Sequence, residues 1–133
     1  MTGKRGPNAS SVRTRAAILD AVLRTLHSEG IADTSARAIA RAGDFNQALI
    51  FYHFGSVDDA LVAAYEGLVA RQRDRYDEAL QDCASFDDIC ERLTALFQED
   101  RRSGTTTTIA QACAGAAHRP HMGGRMRAAT RSW

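Results

Sequence analysis

The fold of this chain is decided by residues 37 to 61, which read Arg-Ala-Ile-Ala-Arg-Ala-Gly-Asp-Phe-Asn-Gln-Ala-Leu-Ile-Phe-Tyr-His-Phe-Gly-Ser-Val-Asp-Asp-Ala-Leu. This stretch predicts a short helix, a glycine turn and a second short helix that ends in an aromatic cluster. Two short helices in this order form a helix-turn-helix, which carries its second helix into the major groove of DNA. We therefore expect the function to lie in this segment.

The first short helix has a start signal and a stop signal. Thr34 and Ser35 carry hydroxyls that can accept a hydrogen bond from an unpaired backbone N–H at the helix start. Ile39 follows as the buried edge of the helix. Gly43 is expected to end it in the left-handed conformation, which a glycine adopts without steric penalty.

The second short helix is expected over residues 46–53, with Asn46 as its cap. Phe45 can pack on Ile50 as a hydrophobic staple, and Ile50 and Phe54 lie four apart on the inward face. The face that remains for solvent, and for a DNA groove, carries Gln47, Ala48, Phe51 and Tyr52. As an alternative, the aromatic run is a packed corner of a small helical domain, with no ligand at all.

The pattern resembles the DNA-binding signature of the TetR family of one-component transcriptional regulators. The matching residues are Ile39-Ala40, Ala42-Gly43, the run Asn46-Gln47-Ala48-Leu49-Ile50-Phe51-Tyr52-His53-Phe54-Gly55-Ser56, and Leu61. The match is good over roughly the first seventy residues and loose beyond them. The resemblance implies an all-α fold, with a three-helix helix-turn-helix DNA-binding domain at residues 11–71 and a partial helical effector-binding and dimerisation domain at residues 72–133.

The resemblance also implies a function and a set of partners. We expect a DNA-binding transcriptional regulator, a small-molecule-responsive repressor that reads the major groove with the helix at residues 46–53. Its expected partners are a double-stranded DNA operator, a small-molecule effector and a second copy of the chain in a homodimer. The operator sequence and the identity of the effector do not follow from the sequence. No catalytic residue, metal or cofactor is expected.

The residues expected to contact DNA are Arg37, Asn46, Gln47, Ala48, Phe51, Tyr52 and His53 in the helix-turn-helix, with Lys4, Arg5 and Arg13 before it. An amide such as that of Gln47 pairs with adenine, and a methyl such as that of Ala48 contacts the thymine methyl. Lys4 and Arg5 lie in a Gly- and Pro-containing arm. This arm either reaches a minor groove or phosphates, or acts only as a solubilising tail.

Three positions depart from the family pattern. The family commonly has a tyrosine at Phe51 and a lysine at Val57, and both usually touch the DNA backbone, so the sequence predicts weaker backbone affinity. Asp44 and Phe45 also separate Gly43 from the capping Asn46, which is one residue more than the usual turn. The extra residue is expected to shift the second helix unless it bulges out.

The net charge of +1 over 133 residues hides an uneven distribution. Residues 1–56 carry +3, residues 57–100 carry −8 and residues 101–133 carry +6. A basic front with an acidic middle would orient the molecule on polyanionic DNA. No apolar run approaches the ~18 residues that span a bilayer, and the N-terminus lacks the apolar core of a signal peptide, so a cytoplasmic protein without membrane contact is expected.

The rest of the chain predicts further helices. A first helix from Val12 to Ser28 places Ile18, Val22 and Leu26 at four-residue intervals, and S-x-x-D starts at Ser56 and Ser85 predict a long fourth helix and a fifth helix beside it. Apolar residues that could serve as core or as effector pocket are Tyr65, Leu68, Tyr76, Leu93, Phe97 and Met122. The three cysteines, Cys83, Cys90 and Cys113, are interpreted as small core residues.

Beyond Ser103 the helical signal weakens. Gly104 and the four threonines at 105–108 disfavour a helix, residues 109–117 are expected to be helical, and Arg119-Pro120 and Gly123-Gly124 are expected to break the chain again. Family members usually continue with more helices, including the pair that forms the dimer interface. The sequence therefore resembles a regulator with a shortened second domain.

Parts of the sequence are also compatible with two other classes of protein. The spacing His118-x-x-His121 beside Cys113 resembles a metal site, but Pro120 argues against one regular helix there and no carboxylate follows Asp100. No phosphate-binding loop or activated nucleophile points to an enzyme. A helical interaction module of the same family that has lost specific DNA binding is the stronger alternative, because Phe51, Val57 and the added turn residue all favour it.

Overall fold

A computed structural model describes residues 8–131, which form seven α-helices and no strand. The helices are α1 (Ala9–Glu29), α2 (Ala36–Gly43), α3 (Ala48–Phe54), α4 (Val57–Leu80), α5 (Phe86–Arg102), α6 (Thr105–His118) and α7 (Pro120–Arg131). The all-α prediction is confirmed. None of these helices is both long enough and apolar enough to cross a membrane. Lys4 and Arg5, predicted to contact DNA, lie outside the described residues.

Side-chain caps set the starts of four of these helices. The accepting atoms are Asn8 Oδ1 for the N–H of Ser11, Ser35 Oγ for Ala38, Ser56 Oγ for Asp59 and Ser85 Oγ for Asp88, at 2.8 to 3.1 Å. Both S-x-x-D predictions are thereby confirmed. Each cap satisfies a backbone donor that the helix itself leaves unpaired, and is worth about 1 kcal/mol.

The hydrophobic core is one cluster built around α1. Ile18, Val22 and Leu26 are buried, as their four-residue spacing predicted. Ile39 of α2 and Ile50 of α3 join them in the same cluster. Further members come from α4, α6 and α7, namely Ala60, Leu61, Val62, Ala64, Tyr65, Val69, Ala112, Met122 and Met126. The boundary predicted between residues 71 and 72 falls inside α4, and the division into two domains stays a prediction.

The prediction that the threonines at 105–108 disfavour a helix was wrong, because they form the first turn of α6. Gly104 precedes them with φ 79°, in the left-handed region. Thr108 is buried, and its hydroxyl donates to the carbonyl oxygen of Gly104 at 3.1 Å. Burial and this local hydrogen bond outweigh the modest helix propensity of threonine.

The predicted break at Gly123-Gly124 was also wrong, since both residues lie inside α7. A Cβ on Gly123 would lie 3.1 Å from the carbonyl oxygen of Ala116, so the missing side chain allows α7 to approach α6 closely. Pro120 is the first residue of α7, where a helix needs no N–H donor. The chain therefore reverses at Arg119 alone.

Helix α5 is the least buried helix of the molecule, with Asp100 as the one buried residue among its own. Phe86 is 76% exposed and Phe97 58% exposed. The fifth helix does contact the fourth, but its apolar residues lie largely in solvent. Cys90 and Cys113 are exposed as well, so the interpretation of all three cysteines as core residues was wrong.

Candidate DNA-binding surface

Arg15 of α1 fixes the C-terminal end of α3. Its Nη1 donates to the carbonyl oxygen of His53 at 2.7 Å, and its guanidinium lies 4.3 Å from the centroid of the Phe54 ring. The last carbonyls of a helix have no partner within the helix and carry its negative partial charge, so a cation is favourable there. Arg15 thus holds α3 against α1 through a charged hydrogen bond and a cation–π contact.

Arg24 performs the same task for α2. Its Nη1 donates to the carbonyl oxygen of Ala42 at 3.1 Å, while its Nε bonds Asp20 at 2.9 Å. One supporting helix therefore binds the ends of both short helices through arginine side chains. Sequence reasoning missed these roles of Arg15 and Arg24, because the pairing depends on how the three helices fold together and leaves no local pattern.

The turn between α2 and α3 reverses at Asp44, not at Gly43. Asp44 has φ 53° and ψ 52°, whereas Gly43 is the last residue of α2, so the predicted left-handed glycine was wrong. The ring of Phe45 packs directly over Gly43, since a Cβ on Gly43 would lie 2.1 Å from Cε1 of that ring. Glycine is required here for close approach. The turn passes through residues 44–47 before α3 begins.

The prediction of Asn46 as the N-cap of α3 was wrong, because Gln47 occupies that position and makes no side-chain cap. Asn46 instead stabilises the turn before the helix. Its Oδ1 accepts a hydrogen bond from the N–H of Ala48 at 2.9 Å. The helix runs over Ala48–Phe54, so it begins two residues later and ends one residue later than the predicted range 46–53. Gly55 follows with φ 84°, and after Ser56 the chain enters α4.

The residues predicted to read DNA lie on the outside of this helix and its turn. Asn46, Gln47, Ala48, Phe51 and Tyr52 are exposed, and we call this set the recognition edge. The Tyr52 side chain is 82% exposed. Their contact with DNA stays a prediction, but their accessibility is a property of the fold.

Beneath the recognition edge, Ile50 is fully buried and anchors the helix. The His53 ring is half-buried and meets the Tyr52 ring edge-on, with 5.0 Å between centroids. The aromatic run is thus neither wholly a packed corner nor wholly free, since Phe54 packs on the core while Phe51 and Tyr52 face solvent.

The basic residues predicted to support DNA binding are accessible as well. Arg37 on α2 and Arg13 on α1 are exposed, and within residues 8–131 neither is recorded in an ion pair. Val57, which stands where the family commonly has a lysine, is half-buried and packs against the core cluster. At this position the chain therefore makes an apolar contact with its own core, where the family commonly has a lysine ammonium group.

Ion pairs join α7 to the start of α4, directly after α3. Asp58 binds Arg119 and also His121, whose Nε2 lies 3.2 Å from Oδ2 of Asp58. Arg125 bridges Asp59 at 3.1 Å and Glu66 at 3.4 Å. Asp58, Asp59 and Glu66 of the acidic middle are therefore paired with the basic C-terminal stretch. The prediction that the charge distribution orients the molecule on DNA did not include these ion pairs within the chain.

The structure does not support the alternative of a metal site at His118 and His121. His118 ends α6 while His121 lies in α7, and His121 faces Asp58. No group of three histidine, cysteine or acidic side chains that could hold a metal ion occurs in the described part of the chain.

A cavity of about 370 Å³ lies between α4, α6 and α7. It is lined by Tyr65, Cys113, Ala116, Ala117, Gly123, Met126, Arg127, Thr130 and Arg131. The hydroxyls of Tyr65 and Thr130 share a hydrogen bond of 2.9 Å, and Thr130 donates to the carbonyl oxygen of Met126 at 3.0 Å. Burial raises the pKa of Tyr65.

Of the residues predicted as core or pocket, Tyr65 alone lines this cavity. Leu68 and Met122 are buried, and Tyr76 is hydrogen-bonded to Asp100. Leu93 and Phe97 are exposed on α5 and fit neither expectation.

Comparisons with known proteins agree with this arrangement. Residues 18–64 match the family model of the bacterial regulatory proteins of the tetR family. The crystal structure of the multidrug binding protein EbrR complexed with imidazole is 27% identical, with a TM-score of 0.67, over all of this chain and 69% of that chain. The structure of SCO7518 from Streptomyces coelicolor A3(2), a candidate transcriptional regulator, is 25% identical, with a TM-score of 0.74, over 90% of this chain and 70% of that chain. A search of curated proteins returned no match.

The helix-turn-helix of α2 and α3 on the supporting helix α1, together with the family match and the similar structures, supports a DNA-binding transcriptional regulator. Over its matched residues 18–64 and in its fold the chain is similar to regulators of the tetR family, which confirms the resemblance seen in the sequence.

Proposed function

We propose that this protein is an effector-responsive repressor that binds operator DNA as a homodimer and reads the major groove with its recognition edge. The observation that carries this proposal is the position of α3. Ile50 and Arg15 hold the helix on α1, while Gln47 and Tyr52 extend into solvent. A helix that is firmly held and exposed along one edge is suited to insertion into a groove.

Each proposed contact has a chemical rationale. Gln47 offers an amide for adenine, and Ala48 a methyl for thymine. Arg13 neutralises phosphate without reading sequence. The other residues proposed to lie against the duplex are Arg37, Asn46, Phe51, Tyr52 and His53, with Lys4 and Arg5 in the N-terminal arm.

The test compares two variants on duplexes from the promoter region of the protein's own gene. Replacing Gln47 by alanine is expected to cost about 1–3 kcal/mol on the preferred sequence and to relax base preference at one position. Arg13→Ala is expected to weaken all sequences alike and to reduce the salt dependence by about one ion. Identical behaviour of the two variants would show that Gln47 does not read bases.

Homodimerisation is part of the proposal because one α3 helix makes too few base contacts for specific binding. Helix-turn-helix proteins generally read two half-sites about 34 Å apart, one helical turn of DNA. Sedimentation of the protein with a specific duplex is expected to give two chains per duplex. A single chain bound at saturation would reject this part of the proposal.

We place the effector in the cavity between α4, α6 and α7. Tyr65 in its wall belongs to α4, and α7 in its other wall is ion-paired to Asp58 and Asp59 at the start of α4. A molecule in the cavity therefore contacts the two helices whose junction lies next to α3. Binding there would shift α3, which carries the recognition edge, and the protein would release the operator.

The second candidate is an interaction module that has lost specific DNA binding. It is favoured by the half-buried Val57 and by Phe51, which lack the ammonium and hydroxyl groups expected to touch the DNA backbone. A folded protein that shifts no duplex even at low salt would establish this alternative and end the first proposal.

A further inference from the structure

We infer that the cavity between α4, α6 and α7 takes a small molecule with an apolar body and a single anionic group, which Arg127 and Arg131 bind. This inference rests on the proposed function, because it treats the cavity as the effector site. It adds the chemical class of the effector.

The apolar part of the argument comes from the cavity walls. Ala116, Ala117, Gly123 and Met126 present only apolar side-chain atoms and backbone. Tyr65 is 3% exposed, and its hydroxyl is already hydrogen-bonded to Thr130. The volume of about 370 Å³ lies within the ~300–1,000 Å³ range of small-molecule sites. An apolar body of modest size is therefore the ligand that these walls favour.

The anionic part comes from two arginines on one face of α7. Arg127 and Arg131 are four residues apart, so their side chains project from the same side of the helix. Both line the cavity, and no acidic residue lines it with them. The rim therefore carries positive charge with no compensating group in the wall.

The other two arginines of the α6–α7 region form ion pairs, so positive charge without an acidic partner is specific to the cavity. Arg119 pairs with Asp58, and Arg125 pairs with Asp59 and Glu66. Within residues 8–131 neither Arg127 nor Arg131 is recorded in an ion pair. Pairing is thus found at the two arginines that reach the acidic residues of α4, and none is found, among the described residues, at the two arginines that line the cavity. A guanidinium presents a planar fork of donors that matches a carboxylate, and it disfavours a cationic ligand.

The experiment titrates the full chain by calorimetry with three probes that share one alkyl chain: octanoate, 1-octanol and octylammonium. Octanoate is expected to bind on the order of tenfold more tightly than octylammonium, as a charge-assisted hydrogen bond predicts. In Arg127→Gln/Arg131→Gln the octanoate affinity is expected to fall about tenfold, while 1-octanol is unchanged. Arg101→Gln/Arg102→Gln on α5 is the matched control, because it also removes two positive charges, lies away from the cavity lining and should leave octanoate binding intact.

The inference is overturned if octylammonium binds as well as octanoate, or if the double glutamine variant keeps its full octanoate affinity. Ala117→Trp, which fills the cavity, should abolish binding of octanoate and of 1-octanol, and retained octanoate binding would place the anion elsewhere and overturn the inference as well. Circular dichroism checks that each variant is folded. A duplex-shift assay on the same samples separates the two proposals. If the protein binds the duplex but does not prefer octanoate, the proposed class of effector is refuted and the repressor proposal stands. If the protein prefers octanoate but binds no duplex, the repressor proposal is refuted and the proposed class of ligand stands.

Discussion

The two halves of α4 are packed in different ways. The first half, up to Val69, buries Ala60, Leu61, Val62, Ala64, Tyr65 and Leu68 against the other helices of the core. Beyond it, Gln72 is the one buried residue of α4, and its partner helix α5 buries only Asp100. We call this first half of α4 and the helices α1 to α3 the front of the molecule. The front is therefore held by apolar burial, whereas α5 is held chiefly by polar contacts. The difference predicts that the DNA-binding helices and α5 lose their structure independently.

The polar contacts of α5 converge on Asp100, whose side chain receives hydrogen bonds from Tyr76 at 2.7 Å and from Arg75. Burial by itself would raise the pKa of Asp100, but hydrogen bonds from Gln72, Tyr76 and Arg75 outweigh it and lower that pKa below its ordinary value. Burial and the negative charge of Asp100 together raise the pKa of Tyr76. We call these four residues the Asp100 cluster.

The largest effect is expected from Ile50→Ala, which removes a fully buried side chain from the front. The free energy of unfolding should fall by about 2–5 kcal/mol, because a cavity is left beneath α3. Chemical denaturation measures this loss. Phe97→Ala, which shortens an exposed apolar residue of α5, should change stability by less than about 0.5 kcal/mol. Equal losses at the two sites would remove the distinction between the two regions.

Asp100→Ala should be next in size, with a loss of about 1–3 kcal/mol, because it removes the carboxylate that accepts hydrogen bonds from Arg75 and Tyr76. Hydrogen exchange locates the effect: amides of α5 should lose protection while those of α1 and α2 keep theirs. Uniform loss of protection would mean that α5 and the front unfold as one unit.

The pH dependence of stability tests whether the ionised carboxylate of Asp100 holds α5 in place. Because the folded state lowers the pKa of Asp100 from its ordinary value of 3.8, its contribution is present above that value and is lost as the pH falls through the folded-state pKa. The stability difference between the native chain and Asp100→Asn should therefore narrow below about pH 4. A difference that stays constant down to pH 2 would show that the ionised carboxylate is not what holds α5.

Arg15→Ala should lower stability by about 1 kcal/mol, through loss of the hydrogen bond to His53 and the contact with Phe54. Exchange of the α3 amides should rise, with α5 unaffected. Arg13→Ala, two residues away and exposed, is the matched control and should leave thermal stability nearly unchanged. If both variants behave alike, Arg15 does not anchor α3.

The smallest effect is expected from Asp44→Gly. Asp44 is the one non-glycine residue with positive φ in the described part of the chain, and glycine removes that steric cost. The added flexibility of the unfolded chain offsets part of the gain, so stability should rise by about 0.5 kcal/mol. A thermal melt that shows a loss would indicate that the Asp44 side chain stabilises the turn in another way.

The features that could be predicted from the sequence are those that local chemistry determines. Ser35, Ser56 and Ser85 cap their helices through residues three positions away, and Ile18, Val22 and Leu26 share a face because of helical periodicity. Exposure of Gln47 and Tyr52 followed from the inward position of Ile50 in the same helix. These relations extend over a few residues and need no knowledge of the fold.

The features that were missed depend on contacts between distant segments. Gly43 has no room for a side chain because the ring of Phe45 lies over it, and Gly123 is tolerated in α7 because α6 passes close by. Arg15 gains its role only when α3 lies against α1. For α5, periodicity indicated an apolar face but could not show that the described helices leave it in solvent.

The exposed thiols of Cys90 and Cys113 make the native chain suitable for chemical labelling. Cys113 lies in the wall of the cavity, whereas Cys90 lies on α5, away from its lining. An occupant of the cavity would shield the first thiol from an alkylating reagent and leave the second to react at its usual rate. Peptide mass spectrometry of one sample then gives both a footprint of occupancy and its internal reference.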